Sequence, residues 1–129
     1  MTSNSYRLES MQHAQCHVII QRRSLKDVEA RLISYSTLVL VAQGTPEGSV
    51  RLLCSGTYSP TTARHINRFT KEFFGMNLYH ACKEATRKSD FAFELVSEYP
   101  FTSAEAERFR ATFRRYESGD HTRHYNGTY

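Results

Sequence analysis

The stretch from Gly56 to Gly75, GTYSPTTARHINRFTKEFFG, contains signals for both ends of a helix. Pro60 fixes its own φ and disfavours helical geometry in the residue before it, so an extended run is expected to end there. Thr61 or Thr62 is predicted to cap the helix, because a hydroxyl accepts a hydrogen bond from a first-turn N–H that has no helical partner. Gly75 stands where a left-handed residue would end the helix. The sequence therefore predicts a complete helix between these two signals.

This 61–75 helix is predicted to be amphipathic. Its apolar residues recur at spacings of three and four and form one stripe for the core: Ile66, Phe69 and Phe73. Cations recur at similar spacings on another face, which we call the basic face: Arg64, Arg68 and Lys71. Cationic donors beside a helix N-terminus are suited to phosphate binding. The basic face is thus the main candidate binding surface, although solvated helices commonly carry such cations and Glu72 adds a negative charge nearby.

Polar residues around the start of this helix complete the candidate site. They are Tyr58, Thr61, Thr62, His65 and Asn67. Two roles are open for them. One is structural, in which they cap the helix and bond it to the preceding hairpin, as polar groups in folded proteins generally find partners. The other is direct contact with a ligand or a nucleic acid.

The strongest strand signal is the run from Arg31 to Ala42, which is rich in β-branched and aromatic residues and contains no Gly or Pro. A loop with two glycines and a proline follows at residues 43–49, and the run from Val50 to Tyr58 returns. Residues 31–58 are therefore predicted to form one long antiparallel pair. An earlier strand is predicted from Cys16 to Gln21.

Three further elements are expected. Ser24–Asp27 could open a short helix or form a turn, and we prefer the turn because the strongest strand signal follows it. Residues 76–88 are predicted to be a helix capped by Asn77, with an apolar stripe: Leu78, Cys82 and Ala85. Phe91–Tyr99 alternates partially and is predicted to be a strand that ends at Pro100.

The last helix is predicted from Ser103 to Glu117, with Thr102 or Ser103 as its cap and Glu105 in its first turn. Its buried stripe is predicted to be Ala106, Phe109, Phe113 and Tyr116. It also carries a second basic cluster: Arg108, Arg110, Arg114 and Arg115. Cations late in a helix complement its dipole, which is a structural explanation that needs no ligand.

Together these elements predict an α+β domain with an antiparallel sheet of three or four strands and two or three helices packed on one face. The chain has 129 residues, which suits one domain. We expect that domain over residues 13–117, a flexible N-terminus over 1–12 and a flexible tail over 118–129.

The three cysteines are far apart and odd in number, which favours a reducing compartment over a disulfide framework. The chain has neither an apolar run long enough for a membrane span nor a signal-peptide pattern, so a cytoplasmic protein without a membrane partner is expected. The net charge of +4 favours acidic partners without identifying one.

Neither a metal nor a cofactor is expected. His13, Cys16 and His17 could converge on zinc from a helix, but on a strand Cys16 faces away from both histidines. His121 and His124 lack the further ligands that a structural site needs. No Gly-rich phosphate cradle occurs.

Catalysis is not favoured. A hydrolase would pair His65 with a nucleophile such as Cys54, Ser55 or Ser59, and these residues are close in sequence. Hydroxyls before a helix are, however, common capping residues, and the Gly-x-Ser-x-Gly elbow is absent. We keep a small hydrolase around His65 as a distant alternative.

Two linked motifs resemble a known pattern. Ser34-Tyr-Ser-Thr-Leu-Val-Leu-Val-Ala42 is followed by Gly56-Thr-Tyr-Ser-Pro-Thr-Thr-Ala-Arg-His-Ile-Asn-Arg-Phe69. This combination resembles a family of small uncharacterised proteins from bacteriophages and bacteria, in which a Ser-Tyr-x-Thr strand precedes a Tyr-Ser-x-Thr-Thr-x-x-His-Ile-Asn helix start. The resemblance covers residues 31–75.

The resemblance implies a phage or mobile-element origin, where small basic proteins without cofactors often act by binding. We therefore expect a non-catalytic accessory protein that binds a host protein or protein complex in the host cytoplasm, for example to inhibit a defence system such as CRISPR. The alternative is a small nucleic-acid-binding protein that uses the basic face.

Overall fold

The computed structural model describes residues 3–8, 15–55, 59–87, 93–95 and 101–119. These residues form six strands and three helices. In chain order the elements are β1 (Ser3–Tyr6), β2 (Cys16–Arg22), β3 (Val28–Ser34), β4 (Thr37–Gly44), β5 (Val50–Ser55), α1 (Pro60–Phe74), α2 (Tyr79–Arg87), β6 (Phe93–Leu95) and α3 (Ser103–Ser118). The strands pair in sequence order, and every neighbouring pair is antiparallel.

The sheet has two different faces because successive side chains of a strand point to opposite sides. The inner face packs against the helices and carries the apolar row Val18, Leu32, Leu40 and Cys54, which are aligned across four strands. The outer face carries the intervening residues, which do not belong to the core cluster, apart from Val39. Val39 lies where the register of β3 and β4 shifts, and it is buried in the core. The predicted α+β class, with its antiparallel sheet and helices, is confirmed, but the predicted count of three or four strands was too low.

The predicted single strand from Arg31 to Ala42 was wrong. A tight turn at Tyr35 and Ser36 divides it into β3 and β4, and Ser34 pairs with Thr37 across that turn. Tyr35 has a φ of 58°, in the left-handed region that two-residue hairpin turns require. The turn contains no Gly, Pro, Asn or Asp, so the usual sequence signal for it is missing. The hairpin formed by β4 and β5 is as predicted.

The segment that was expected to be flexible through Gln12 contains a strand in its first half. Ser3–Tyr6 pairs with β2 as an edge strand, and Leu8 is fully buried. Residues 1–2, 9–14 and 120–129 lie outside the described residues, so the rest of that expectation and the predicted tail beyond Gly119 stay predictions.

Phe93–Leu95 is the described part of the predicted strand over Phe91–Tyr99. Residues 23–27 form the preferred turn, in which the Ser24 hydroxyl accepts from the Asp27 N–H at 3.2 Å.

Ser59, rather than Thr61 or Thr62, is the N-cap of α1, and its hydroxyl accepts from the Thr62 N–H at 3.1 Å. Pro60 therefore occupies the first helical position, where its missing donor costs nothing. Gly75 ends the helix as predicted, with a φ of 82° and its N–H bonded to the Lys71 carbonyl. Helix α2 begins at Tyr79, later than the predicted start. In α3, Thr102 and Glu105 form a reciprocal capping box.

Aromatic rings fill the space between the sheet and the helices. Phe73 of α1 lies 4.5 Å from the Phe69 ring and 5.2 Å from the Tyr116 ring, measured between ring centroids. Tyr116 also meets Tyr6 of β1 edge-on at 6.0 Å. The predicted stripes of α1 and α3 are confirmed as core, except that Ala106 is only half-buried. In the part of the chain described here, no helix is both long and apolar enough to span a membrane.

Candidate binding site

The basic face lies on the solvent side of α1. Arg64, Arg68 and Lys71 are exposed, and they line an open groove of about 520 Å³. The groove is completed by Pro60, Ala63, Asn67 and Asn77. Among the described residues, no acidic side chain lines this groove, and none forms an ion pair with its three cations. The groove is therefore a cationic surface with its charge available to a partner.

Glu72 does not neutralise this surface. Its carboxylate points to α3, where it accepts a hydrogen bond from the Tyr116 hydroxyl. It also lies near enough to Cys16 of β2 to raise the pKa of that thiol, in addition to the larger effect of burial. Glu72 is next to Lys71 in the sequence, but in the folded protein its carboxylate points into the molecule.

Asn67 has a structural partner on the rim of the groove. Its side-chain oxygen accepts from the Tyr79 N–H at 3.0 Å, at the start of α2. The neighbouring Thr70 hydroxyl accepts from the Leu78 N–H at 3.1 Å. These two bonds satisfy N–H groups at the start of α2 and fix the angle between the helices. Asn67 therefore shapes the groove, and only its amide nitrogen is left for a ligand.

His65 belongs to a buried polar cluster rather than to the groove. Its Nδ1 lies 2.9 Å from the Ser34 hydroxyl of β3, and the Ser34 hydroxyl lies 3.0 Å from the Thr62 hydroxyl. Only 2% of His65 is exposed. Burial lowers the pKa of its imidazole, and the charge of Arg64 lowers it further. Thr62 and His65 thus join the helix to the β3–β4 hairpin.

Sequence reasoning did not select Ser34 as a site residue, although it opens the Ser-Tyr-x-Thr motif. The residues that the Ser34 hydroxyl contacts belong to the second motif. The occurrence of the two motifs in one chain was therefore the sequence signal that could have identified Ser34. Thr61 is half-buried at the start of α1, and Tyr58 lies outside the described residues.

The second basic cluster is divided by the fold. Arg108 donates to the carbonyls of Glu72 and Lys71 at 3.1 and 3.2 Å, so it satisfies the C-terminal end of α1. Arg110 extends to the opposite side of α3 and donates to the carbonyls of Lys26 and Ser49. Burial lowers the pKa of Arg110, and Arg22 and Arg114 lower it further. Arg108 and Arg110 therefore fasten elements together, while Arg114 and Arg115 are exposed.

A family model described as "Family of unknown function (DUF8033)" matches residues 6–92, well over half of the chain. The chain belongs to this family. No curated protein and no solved structure matches it. The DUF8033 match includes α1, with the basic face and the His65 cluster, whereas α3 and its arginines lie beyond the matched residues.

The DUF8033 region contains two of the residues that were weighed as metal ligands, and they point in different directions. Cys16 is buried in the inner face, and its thiol has a pKa raised to about 11. His17 lies on the outer face, and burial lowers its pKa. Among the residues with described positions, no three His, Cys, Asp or Glu side chains come together to hold a metal. His13, His121 and His124 are outside the described residues.

Proposed function

We propose that the protein is a non-catalytic, phage-type accessory protein that binds a host macromolecule in the host cytoplasm, and that the groove on the basic face is its contact surface. The observation that carries the proposal is a groove with three cations of α1 and no acidic side chain among the described residues that line it. These cations have no ion-pair partner in the described part of the chain. Arginine is favoured at binding surfaces because its planar guanidinium forms paired hydrogen bonds with carboxylates and phosphates.

Two features support binding without catalysis. The one serine–histidine pair that we find in the described residues, Ser34 with His65, is buried on both sides, with 2% of each residue exposed. A substrate would have no access to it without opening of the hairpin. The Cys16 thiol is also buried and its pKa is raised, which disfavours the reactive thiolate.

Nucleic acid is the second candidate for the macromolecule, and the spacing of the cations favours it. A helix rises about 1.5 Å per residue, so Arg64 and Lys71 are about 10 Å apart along the axis. Phosphates of one DNA strand follow each other at about 3.4 Å along the duplex axis, so the basic face would extend over about three of them.

A binding assay separates the two candidates. The first variant, R64E/R68E/K71E, reverses the charge of the groove while the apolar stripe of α1 stays intact. A matched control, K26E/K83E/R114E, changes the net charge by the same amount at exposed positions outside the groove. For nucleic acid, we expect wild-type binding with a strong salt dependence, and a slope that decreases by about one unit for each lost phosphate contact.

The control variant should retain most of that binding. If wild-type protein shows no salt-sensitive binding to single- or double-stranded DNA or RNA, nucleic acid is excluded and a protein partner leads. Affinity purification from a bacterial lysate, with and without nuclease, then tests the proposal itself. A partner that survives nuclease treatment and is lost only in the groove variant supports it, whereas equal loss in both variants contradicts the groove as the contact surface.

Inhibition of a host defence is the role that we propose for this binding. Phage plating on a host with an active CRISPR system tests it directly. Expression of the protein should restore plaque formation, and the groove variant should not, while the control variant behaves as wild type. If the wild type and both variants restore plaque formation, the defence role does not depend on the groove.

A further inference from the structure

The outer face of the sheet carries a polar ladder across four strands. Gln21, Glu29, Gln43 and Arg51 occupy directly aligned positions on β2, β3, β4 and β5. Hydrogen bonds run along it: the Arg51 Nε donates to the Gln43 oxygen at 2.8 Å, and the Gln43 amide donates to the Glu29 carboxylate at 3.0 Å. The ladder is therefore a connected network on the side of the sheet that faces away from the helices.

Glu29 is the buried centre of this network. Only 4% of its side chain is exposed, and its other oxygen accepts from the Arg31 Nε at 2.5 Å. Arg23 approaches the same carboxylate at 3.8 Å. The carboxylate thus lies beneath arginines that reach the surface, and 44% of the Arg31 side chain is exposed.

The arginines of the ladder have donors left for a partner. Arg31 and Arg51 each use Nε within the network, and their terminal amino groups have no hydrogen-bond partner among the described residues. A guanidinium fixed through Nε presents its remaining N–H groups in a defined direction, and it loses less side-chain entropy when it binds a carboxylate. Glu29 and Gln43 therefore organise the two arginines in advance.

Aliphatic side chains lie beside the ladder. On the outer face these are the half-buried Ile19, Ile33, Leu38 and Leu53, together with Val41, of which only 6% is exposed. The outer-face positions of β2 to β5 include no Phe, Tyr or Trp, whereas surfaces for single-stranded nucleic acid use aromatic rings to stack bases. Arginine is enriched at protein interfaces, and the aliphatic side chains beside these arginines would supply apolar contact area.

We propose that the outer face docks a protein partner whose surface combines acidic side chains with apolar ones. The arginines of the ladder would bind the carboxylates, and the aliphatic residues would pack against the apolar groups. Arg23 and Arg31 contact the carboxylates of Asp27 and Glu29, and Arg51 interacts electrostatically with Glu47. The match to an acidic partner therefore comes from the remaining N–H donors of Arg31 and Arg51 rather than from an excess of charge. This surface is independent of the groove on α1, and the protein would then bind two partners on opposite sides of its core.

The test uses the full chain, labelled with nitrogen-15, and a short synthetic peptide composed of Glu and Leu. A copy of the peptide with Gln in place of Glu and a short single-stranded oligonucleotide are the other probes. We expect the Glu/Leu peptide to shift amide signals of β3, β4 and β5 rather than those of α1. The R31Q/R51Q variant should weaken this binding by about tenfold, as for the loss of anchoring arginines. The K83Q/R114Q control, which removes the same charge at exposed positions of α2 and α3 outside both surfaces, should change it by about twofold or less.

The Glu29→Gln variant distinguishes an organised surface from simple charge attraction. It makes the outer face more positive, so charge alone would strengthen binding of the acidic peptide. Loss of the carboxylate that orients Arg31 should instead weaken it, in a variant whose thermal unfolding and amide spectrum show a folded sheet. Four results would overturn the proposal. They are tighter binding by Glu29→Gln, equal losses in R31Q/R51Q and K83Q/R114Q, shifts confined to α1, and stronger binding of the oligonucleotide on this face.

Discussion

His65 links three segments through one buried ring. Its imidazole lies 2.9 Å from the Ser34 hydroxyl and beside the ring of Tyr35, with a centroid separation of 5.9 Å. A neutral imidazole satisfies this contact without any charge in the core. Protonation would place a cation in a desolvated position next to Arg64, and for this reason the pKa of His65 lies below its ordinary value.

The stability of the protein should therefore decrease in mild acid. Above the ordinary histidine pKa of about 6.5, His65 is neutral in both the folded and the unfolded chain. Below it, the unfolded chain binds a proton that the folded chain resists, so the free energy of unfolding falls from about pH 6.5 down through the lowered folded pKa. Urea unfolding at a series of pH values measures this slope.

The His65→Gln variant is the control for that slope. It should be less stable at neutral pH but show a flatter dependence between about pH 7 and 5. The pKa of His17 is also lowered, so His17 also decreases the stability of the protein in acid. This effect of His17 remains in the variant. An unchanged slope in His65→Gln would show that other groups cause the acid sensitivity.

The start of α1 is capped by Ser59 rather than by a threonine. Thr61 or Thr62 was predicted as the cap because they follow Pro60, but the proline takes the first helical position and the cap is Ser59. Ser59→Ala should cost about 1 kcal/mol of unfolding free energy, because the Thr62 N–H loses its acceptor. Thr61→Ala is the matched change and should have a much smaller effect. Chemical denaturation of both variants measures the difference, and a larger loss for Thr61→Ala would reverse the assignment.

The turn between β3 and β4 provides a second test. Tyr35 has a positive φ that Asn tolerates and that Val does not. Tyr35→Asn should therefore unfold at nearly the wild-type denaturant concentration, whereas Tyr35→Val should lose about 1–3 kcal/mol. Because 55% of Tyr35 is exposed, little packing is lost in either variant. Equal destabilisation by both would mean that the ring, not the backbone, determines the effect.

Some features of these elements could be predicted from the sequence, and others could not. The stripe of α1, the end at Gly75 and the capping box of α3 follow local rules, and all three are present. The turn at Tyr35 and the strand Ser3–Tyr6 have no strong local signal, because the first lacks Gly, Pro, Asn and Asp and the second is a polar edge strand. The basic face was predictable from spacing, but the inward direction of Glu72 depends on Tyr116, which is distant in sequence.

The core of the protein extends beyond the residues that match the DUF8033 family and includes α3. Phe109, Phe113 and Tyr116 are buried against α1 and the sheet, yet they lie beyond the matched residues 6–92. Each buried aromatic side chain contributes about 1.5–3 kcal/mol. Their sum is comparable with the whole stability of a domain, about 5–15 kcal/mol. The matched region should therefore depend on α3 in order to fold.

A chain truncated after residue 100 tests this dependence. Without α3, Phe73 loses the neighbouring rings of Phe109 and Tyr116, and the end of α1 loses the guanidinium of Arg108. We expect poorly dispersed amide signals and binding of a hydrophobic dye, as for a compact chain without fixed packing. A synthetic peptide of residues 101–119 should restore dispersion when it is added, and a copy with Ala at Phe109 and Phe113 should not. A cooperative unfolding transition in the truncated chain alone would show that the first hundred residues already contain a sufficient core, and that α3 is an addition to the family fold rather than a part of it.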